Sequence, residues 1–261
     1  MTEMHPIFGG DLRDELRAAA AYLVDYKHRT DGATCSFTGP WEFVRSAIPF
    51  IPQACGDLVP GRVPTSLVVG ESSKWDIKFL DARQISARKS AVLVPANPER
   101  PDESAQYDFI APLGLFVAHE GKNRVRFLAV LGEPLIPALV SERGYPHPSR
   151  IARYSLPVNG SKEVFAVLDS RWVCWLKHYS AASGLLDAYG IAHLREWTVS
   201  MPDPASVIAA FHDSSILGGQ LLFDPMAHAG APPTMTRIIV DLDTLQQPTH
   251  APLPWYRRIF G

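Results

Sequence analysis

Residues 115–142, with the sequence LFVAHEGKNRVRFLAVLGEPLIPALVSE, predict the fold more directly than any other part of this chain. The stretch begins with a short apolar run, passes through a glycine turn, continues with apolar residues at helical spacing and ends in a second apolar run. Because period and turn residues distinguish strands from helices, it predicts a strand, a tight turn, an amphipathic helix and another strand.

The turn at 119–124, HEGKNR, has the chemistry of an anion-binding site. A helix N-terminus leaves backbone N–H groups without intrahelical partners and carries a partial positive charge. Lys122 and Arg124 add two cations at that end, and Gly121 allows the chain to turn. The pattern therefore indicates a phosphate-binding cradle.

This strand–turn–helix–strand unit resembles the nucleotide-binding segment of the ParB/sulfiredoxin superfamily. In that superfamily a G-x-x-R turn follows a strand, often after an acidic residue, and a second strand follows the helix. Glu120 to Arg124 supplies the turn here, and Leu135 to Val140 supplies the closing strand. More loosely, the resemblance extends back to Trp75, and residues 76–80 are expected to be an early strand.

The resemblance implies a small α+β domain that binds ATP or CTP, with Mg²⁺ as the accompanying cation. It places Gly121, Lys122, Asn123 and Arg124 on the phosphates, and makes Glu120 the candidate catalytic residue, as a metal ligand or general base. Lys122 occupies the position of the catalytic cysteine of the sulfinic acid reductases, so sulfinic acid reduction is not expected. No helix-turn-helix pattern follows the motif, so partition by the ParB mechanism is not expected either.

Among the branches of this superfamily, the plasmid fertility-inhibition proteins, with ATPase and DNase activities, offer the best expectation. We therefore expect a nucleotide-binding protein of a plasmid, phage or other mobile element, acting on a phosphoanhydride or phosphodiester bond. Its partners would be a nucleoside triphosphate and either DNA or a conjugation or partition protein. The alternative is a non-catalytic interaction module, or a DNA-binding regulator, that keeps the fold without hydrolysing nucleotide.

Each residue of the turn also has a purely structural interpretation. Arg124 is able to form a surface ion pair with Glu120 or Glu142, which contributes little to stability. An acidic residue such as Glu120 stabilises a helix N-terminus by itself. His119 either faces the site or is an ordinary surface histidine.

The middle of the chain is locally basic. Residues 120–177 contain nine Lys and Arg against five Asp and Glu, although the whole chain has a formal net charge of −2. Arg143, Arg150 and Arg153 either extend a basic rim toward phosphates or lie in a solvated loop. Only the first interpretation would favour a nucleic acid partner.

Composition excludes several classes of protein. The 261 residues are 46% hydrophobic and 20% charged, which is typical of a globular protein with a substantial core. The three cysteines form no CxxC or Cys/His cluster, so neither a zinc site nor a disulfide framework is expected. No apolar run is long enough to span a membrane. These features favour a cytoplasmic protein with no membrane partner and no structural metal.

The remaining patterns predict an α+β fold with a ParB/sulfiredoxin-like core and additions at both ends. Residues 1–65 would be an N-terminal helix, from Asp11 to Tyr26, followed by an irregular segment rich in Pro and Gly, with short elements packed by its aromatic residues. Residues 66–178 would be the nucleotide-binding domain, with a hairpin turn at Asp169. Residues 179–261 would be an α+β extension that begins with a helix ended by Gly190.

Overall fold

A computed structural model of the chain describes residues 13–34, 39–52, 55–70, 75, 77–158 and 160–197. Within these ranges five α-helices and nine strands form an α+β structure with two sheets, which confirms the predicted fold class at that level. The helices are α1 Asp14–Thr34, α2 Pro40–Ala47, α3 Ala82–Val92, α4 Lys122–Val130 and α5 Tyr179–Tyr189. The strands are β1 Val59–Pro64, β2 Val68–Val69, β3 Gln106–Ile110, β4 Leu115–Glu120, β5 Leu135–Arg143, β6 Ile151–Val158, β7 Ser161–Leu168, β8 Trp172–Trp175 and β9 Ala192–Leu194.

The first sheet has the strand order β1-β5-β3-β4-β2. Its central strand β3 pairs antiparallel with β4 on one side and parallel with β5 on the other. A β-bulge interrupts the β3–β4 ladder: Gln106 pairs with Glu120, whereas Tyr107 pairs with Ala118. His119 therefore has no partner on β3 and is the extra residue of the bulge.

The second sheet has the order β8-β7-β6-β9. Strands β6, β7 and β8 form an antiparallel meander, and β9 adds parallel to β6. Asp169 and Ser170 adopt positive φ angles of 53° and 54° between β7 and β8, as a tight hairpin turn requires. The predicted hairpin turn at Asp169 is therefore confirmed.

One core cluster runs through most of the described structure, from Leu16 in α1 to Ile191 after α5. Helices α1 and α5 pack on one another, and α2 packs on β4 of the first sheet. A second, smaller cluster belongs to the second sheet alone and consists of Tyr154, Leu156, Phe165, Val167 and Val173. Among the described residues, no helix is both long enough and apolar enough to cross a bilayer.

The predicted strand–turn–helix–strand unit is confirmed as β4, α4 and β5. The predicted helix ended by Gly190 is α5, and Gly190 has the left-handed φ of 97° expected of a C-terminal stop. Helix α1 begins at Asp14 in the structure, and the predicted N-cap Asp11 lies outside the described residues.

One prediction of local structure is wrong. The strand expected at 76–80 is a 3-10 turn, Ile77–Phe79, that leads directly into α3. Asp81 caps that helix: it accepts from the Gln84 N–H at 2.7 Å, while its own N–H donates to the Gln84 side chain at 3.0 Å. The segment predicted to be irregular with short elements does contain two of them, α2 and β1, and Phe43, Phe50 and Ile51 within it are buried.

Candidate functional site

The candidate site lies where β4 ends and α4 begins. Gly121 occupies the N-cap position between them with a left-handed φ of 84°. A Cβ built on Gly121 would lie 2.8 Å from the Cβ of Ala105, a separation too short for real atoms. Glycine is therefore required both by the backbone conformation and by the close packing against the residue that precedes β3.

The amino end of α4 has no side-chain cap. Glycine has no side chain that could cap the first turn, and the Arg124 N–H donates to the Gly121 carbonyl oxygen at 2.9 Å. In the described ranges the N–H groups of Lys122 and Asn123 are therefore the ones left without a cap. Lys122 and Arg124 belong to this first turn and are half-buried. The dipole of α4 and these two cations add in the same direction, which favours an anion at this point.

The guanidinium of Arg124 is fixed by the loop before β3. Its Nη2 donates to the carbonyl oxygen of Glu103 at 2.7 Å. Among the described residues it forms no ion pair with Glu120 or Glu142, so the structural alternative of such a pair is wrong. A carbonyl acceptor leaves the positive charge of Arg124 uncompensated and holds the side chain beside the turn.

Tyr107 of β3 brings a buried hydroxyl to the same region. The side chain is 1% exposed, and its Oη has no hydrogen-bond partner among the described residues. Burial raises the pKa of the Tyr107 phenol above its usual value, and the charge of Arg124 opposes this shift. The phenol is therefore neutral and lies within electrostatic range of the Arg124 guanidinium.

Asn123 contributes a second buried polar atom. Its Oδ1 is shielded from solvent and has no donor among the described residues, although the residue as a whole is only half-buried. A buried oxygen without a donor raises the free energy of the folded state unless water or a ligand satisfies it. Asn123 therefore contributes an acceptor to the turn, in addition to its backbone N–H.

Glu120 and His119 are both exposed at the end of β4. The structure places Glu120 one residue before the glycine turn, but in the described ranges no three His, Cys, Asp or Glu side chains converge as a ready-made metal site. Mg²⁺ commonly binds to one or two carboxylates together with substrate phosphates. Glu120 is one exposed carboxylate of the kind that this mode uses.

Neither of the two interpretations of Arg143, Arg150 and Arg153, a basic rim or a solvated loop, describes all three, because each is paired with an acid of the fold. Arg150 makes a bidentate pair with the Asp169 carboxylate at 2.9 and 2.5 Å. Arg153 is 1% exposed and donates to the Asp187 carboxylate at 2.5 Å. Arg143 contacts Asp108, whose side chain leaves β3 on the face opposite to that of Tyr107, because consecutive strand residues alternate.

The five predicted site residues lie together because they are contiguous in the chain, and their role as a site stays a prediction; they are Glu120, Gly121, Lys122, Asn123 and Arg124. Three contributors from the segment before and within β3 were missed, which are Glu103, Ala105 and Tyr107. The only available signal was the apolar alternation of residues 106–110, which marks a strand but not its partner. Their position beside α4 depends on the pairing of β3 with β4.

Comparison with known proteins gives no functional information, so the functional argument depends on the geometry of the β4–α4 turn. No protein-family model matches the chain, and neither a curated protein nor a solved structure matches it at a significant level. The likeness to the ParB/sulfiredoxin superfamily thus rests on the residues of the turn and on the order of the elements around it.

Proposed function

We propose that this chain binds a nucleoside triphosphate, ATP or CTP, at the β4–α4 turn. The observation that carries the proposal is the uncapped amino end of α4, opened by the left-handed Gly121 and flanked by Lys122 and Arg124. Backbone N–H groups would donate to phosphate oxygens, while the two cations neutralise their charge. Lys122 acts as a mobile point charge and Arg124 as a fixed fork of donors.

The environment of Arg124 and Tyr107 supports this assignment. The Glu103 carbonyl orients the guanidinium without neutralising it, and the neutral Tyr107 hydroxyl is a potential donor near its charge. A bound phosphate group would convert both into satisfied hydrogen-bonding groups. Mg²⁺, when bound, would neutralise phosphate charge, with Glu120 as its protein ligand or as a general base toward water.

Hydrolysis is the further part of the proposal. It would cleave a phosphoanhydride bond of the nucleotide or a phosphodiester bond of DNA, in the setting of a plasmid, phage or other mobile element. Glu120, exposed one residue before the turn, would accept a proton from the attacking water. Binding without any release of phosphate or cleavage of DNA would instead support the alternative of a non-catalytic interaction or regulatory module.

Thermal unfolding with ATP, CTP and GTP, each with and without Mg²⁺, tests binding. A ligand that binds only the folded state, present at about 100 times its dissociation constant, adds about 2.7 kcal/mol to the free energy of unfolding. We expect ATP or CTP to raise the Tm, and Lys122→Ala with Arg124→Ala to remove this rise. The matched control is Arg62→Ala, which removes an exposed arginine from β1 and should leave the rise intact.

Absence of a shift with every triphosphate would overturn the binding proposal. The same rise in the double variant would show that nucleotide binds elsewhere. Phosphate release by Glu120→Gln at the rate of the unmodified protein would contradict the catalytic role given to Glu120.

A further inference from the structure

The second sheet is covered on both of its faces. Strand β7 begins with exposed residues, but its run from Val164 to Leu168 is buried without interruption. Neighbouring residues of a strand point to opposite faces, so continuous burial means that both faces are shielded from water. One face joins the main core cluster through residues such as Ala166 and Cys174. The other carries the smaller cluster, and we call it the Tyr154 face; its core residues are Tyr154, Leu156, Phe165, Val167 and Val173.

The Tyr154 face is one continuous apolar surface across three strands. Tyr154 of β6 pairs with Phe165 of β7, and Val167 of β7 pairs with Val173 of β8. Paired residues lie on the same face, so these side chains are neighbours. The core residues of the face are between 0% and 5% exposed. Such low values at the centre of a sheet require a further layer of protein on top of the side chains.

The described structure supplies only the edge of that layer. No helix residue among those described belongs to the smaller cluster. Of the partly buried apolar residues that pack against it, Ala152 and Trp175 belong to the sheet itself, and Trp197 follows β9. The Trp197 indole meets the Tyr154 ring edge-to-face, with centroids 5.0 Å apart. Trp197 is therefore the apolar contact that the described chain makes with this face from outside the four strands.

The described structure ends at Trp197, on this same face. Residues 198–261 continue from there and lie outside the described ranges. The first stretch in them that is rich in apolar residues is 204–211, with the sequence PASVIAAF. The chain from Trp197 to position 204 spans up to roughly 23 Å when extended, whereas four paired strands are about 14 Å across. Residues 204–211 are therefore within reach of every strand of the face.

The sequence of this stretch has the pattern of an apolar helix face. Asp203 followed by a proline is a typical helix start. Val207, Ile208 and Phe211 have the spacing of one helix face, whereas Ser206 has that of the opposite face.

We infer that residues 204–211 pack through their apolar residues on the Tyr154 face of the second sheet. The contact removes two apolar surfaces from water, which is the main favourable term in packing of this kind. The C-terminal segment is then a layer of the same fold and not an independent tail. The inference does not depend on nucleotide binding, because neither surface includes the β4–α4 turn.

Photo-crosslinking in the whole 261-residue chain tests this contact. The probe p-benzoylphenylalanine replaces Trp175, which belongs to β8, the strand of this sheet farthest from β9. Irradiation should join position 175 to residues 204–211 of the same chain, so the product keeps the mass of one chain and peptide mapping locates the link. The control carries the probe at Phe79, an aromatic residue before α3 that is 85% exposed, and should give no link to residues 204–211.

A matched pair of substitutions gives a second measurement. Ile208→Asp would put a carboxylate into the apolar contact and should lower the Tm by more than about 5 °C, because burial of an unpaired charge is costly. Ser206→Asp adds the same charge on the opposite face and should change the Tm by less than about 2 °C. Both variants are compared without nucleotide, so the result is separate from the test of nucleotide binding.

Three results would overturn the inference. One is a crosslinked product with the mass of two chains, which would make a second copy of the chain the occupant of the Tyr154 face. Another is a product from position 175 that contains none of residues 204–211, or no product at all, because a probe beneath a packed layer has a partner within reach. The third is an equal Tm for Ile208→Asp and Ser206→Asp.

Discussion

Gly121 and Ala105 are in such close contact that the protein has no room for a β-carbon at position 121. The Cβ of an alanine there would lie 2.8 Å from the Cβ of Ala105 and 3.1 Å from its Cα. Ala105 is itself fully buried, and its carbonyl oxygen accepts from the Leu139 N–H at 2.8 Å, so it has little freedom to move. The start of α4 is therefore held in place by close packing against the segment that leads into β3.

Gly121→Ala should consequently destabilise the protein by about 3 kcal/mol, from the strain of a left-handed residue and from overpacking. Gly132→Ala is the matched control, because Gly132 also has a positive φ, 71°, but a Cβ there meets nothing within 4 Å. It should cost about 1 kcal/mol, from the backbone strain alone. Urea unfolding of both variants measures the difference, and equal losses would contradict the close-packing argument.

Two neighbouring tyrosines should respond differently to removal of their hydroxyl groups. Tyr145 and Tyr189 are in edge-to-face contact with ring centroids 5.4 Å apart. Among the described residues, the Tyr189 hydroxyl has a partner, the Pro146 carbonyl oxygen at 2.9 Å, and the Tyr145 hydroxyl has none. Tyr189→Phe should cost about 1 kcal/mol, whereas Tyr145→Phe should be neutral or stabilising. A larger loss for Tyr145→Phe in chemical unfolding would contradict this.

Stability should fall in mild acid because of His178, which precedes α5. Its ring packs on Phe43 at 5.4 Å, and its pKa is lowered by burial and by the charges of Lys27 and Lys177. Below the unfolded-state pKa of about 6.5, the unfolded chain binds more protons than the folded one, so the free energy of unfolding decreases as the pH falls.

His178→Phe keeps the aromatic contact and removes this ionisation. Unfolding titrations across the range from about pH 8 to about pH 5 should therefore show a shallower loss for the variant. Some loss should remain, because the pKa of His193 is also lowered by burial and by Arg153 and Lys162. A variant with the same pH slope as the unmodified protein would exclude His178 as a cause.

The two described cysteines should differ in reactivity. Cys55 is exposed, whereas Cys174 is 2% exposed and burial raises the pKa of its thiol to about 12. Since the thiolate is the reactive form, iodoacetamide at neutral pH should modify Cys55 in the folded protein and Cys174 only after denaturation. Peptide mass mapping measures this, and modification of Cys174 before unfolding would contradict it.

Local patterns were sufficient to predict the elements around the turn. Hydrophobic periodicity and one glycine predict strand β4, helix α4 and strand β5. The glycine at position 190 likewise predicts the end of α5. The apolar residues of 76–80 resemble a short strand, and this pattern led to the wrong prediction. The signal against it is the capping box of Asp81 and Gln84, which starts α3 directly afterwards. The division into three domains stays a prediction.

Contacts between segments that are distant in the chain could not be predicted from the sequence. Nothing near Trp41 indicates that Arg143 will lie against its ring, because that contact depends on the packing of α2 on the sheet and on the parallel pairing of β3 with β5. Likewise, the presence of Tyr107 beside Arg124 depends on the register of β3 against β4. The candidate residues within the turn could be predicted, whereas the residues that support them could not.

The bulge in β4 gives His119 a role that needs no chemistry of its imidazole. As the residue without a partner on β3, it is a spacer that brings Glu120, rather than itself, opposite Gln106. Because a one-residue change of register moves every following side chain to the other face, His119 determines where the turn points. The direction in which the turn leaves the sheet therefore depends on the number of residues in β4 and not on the identity of residue 119.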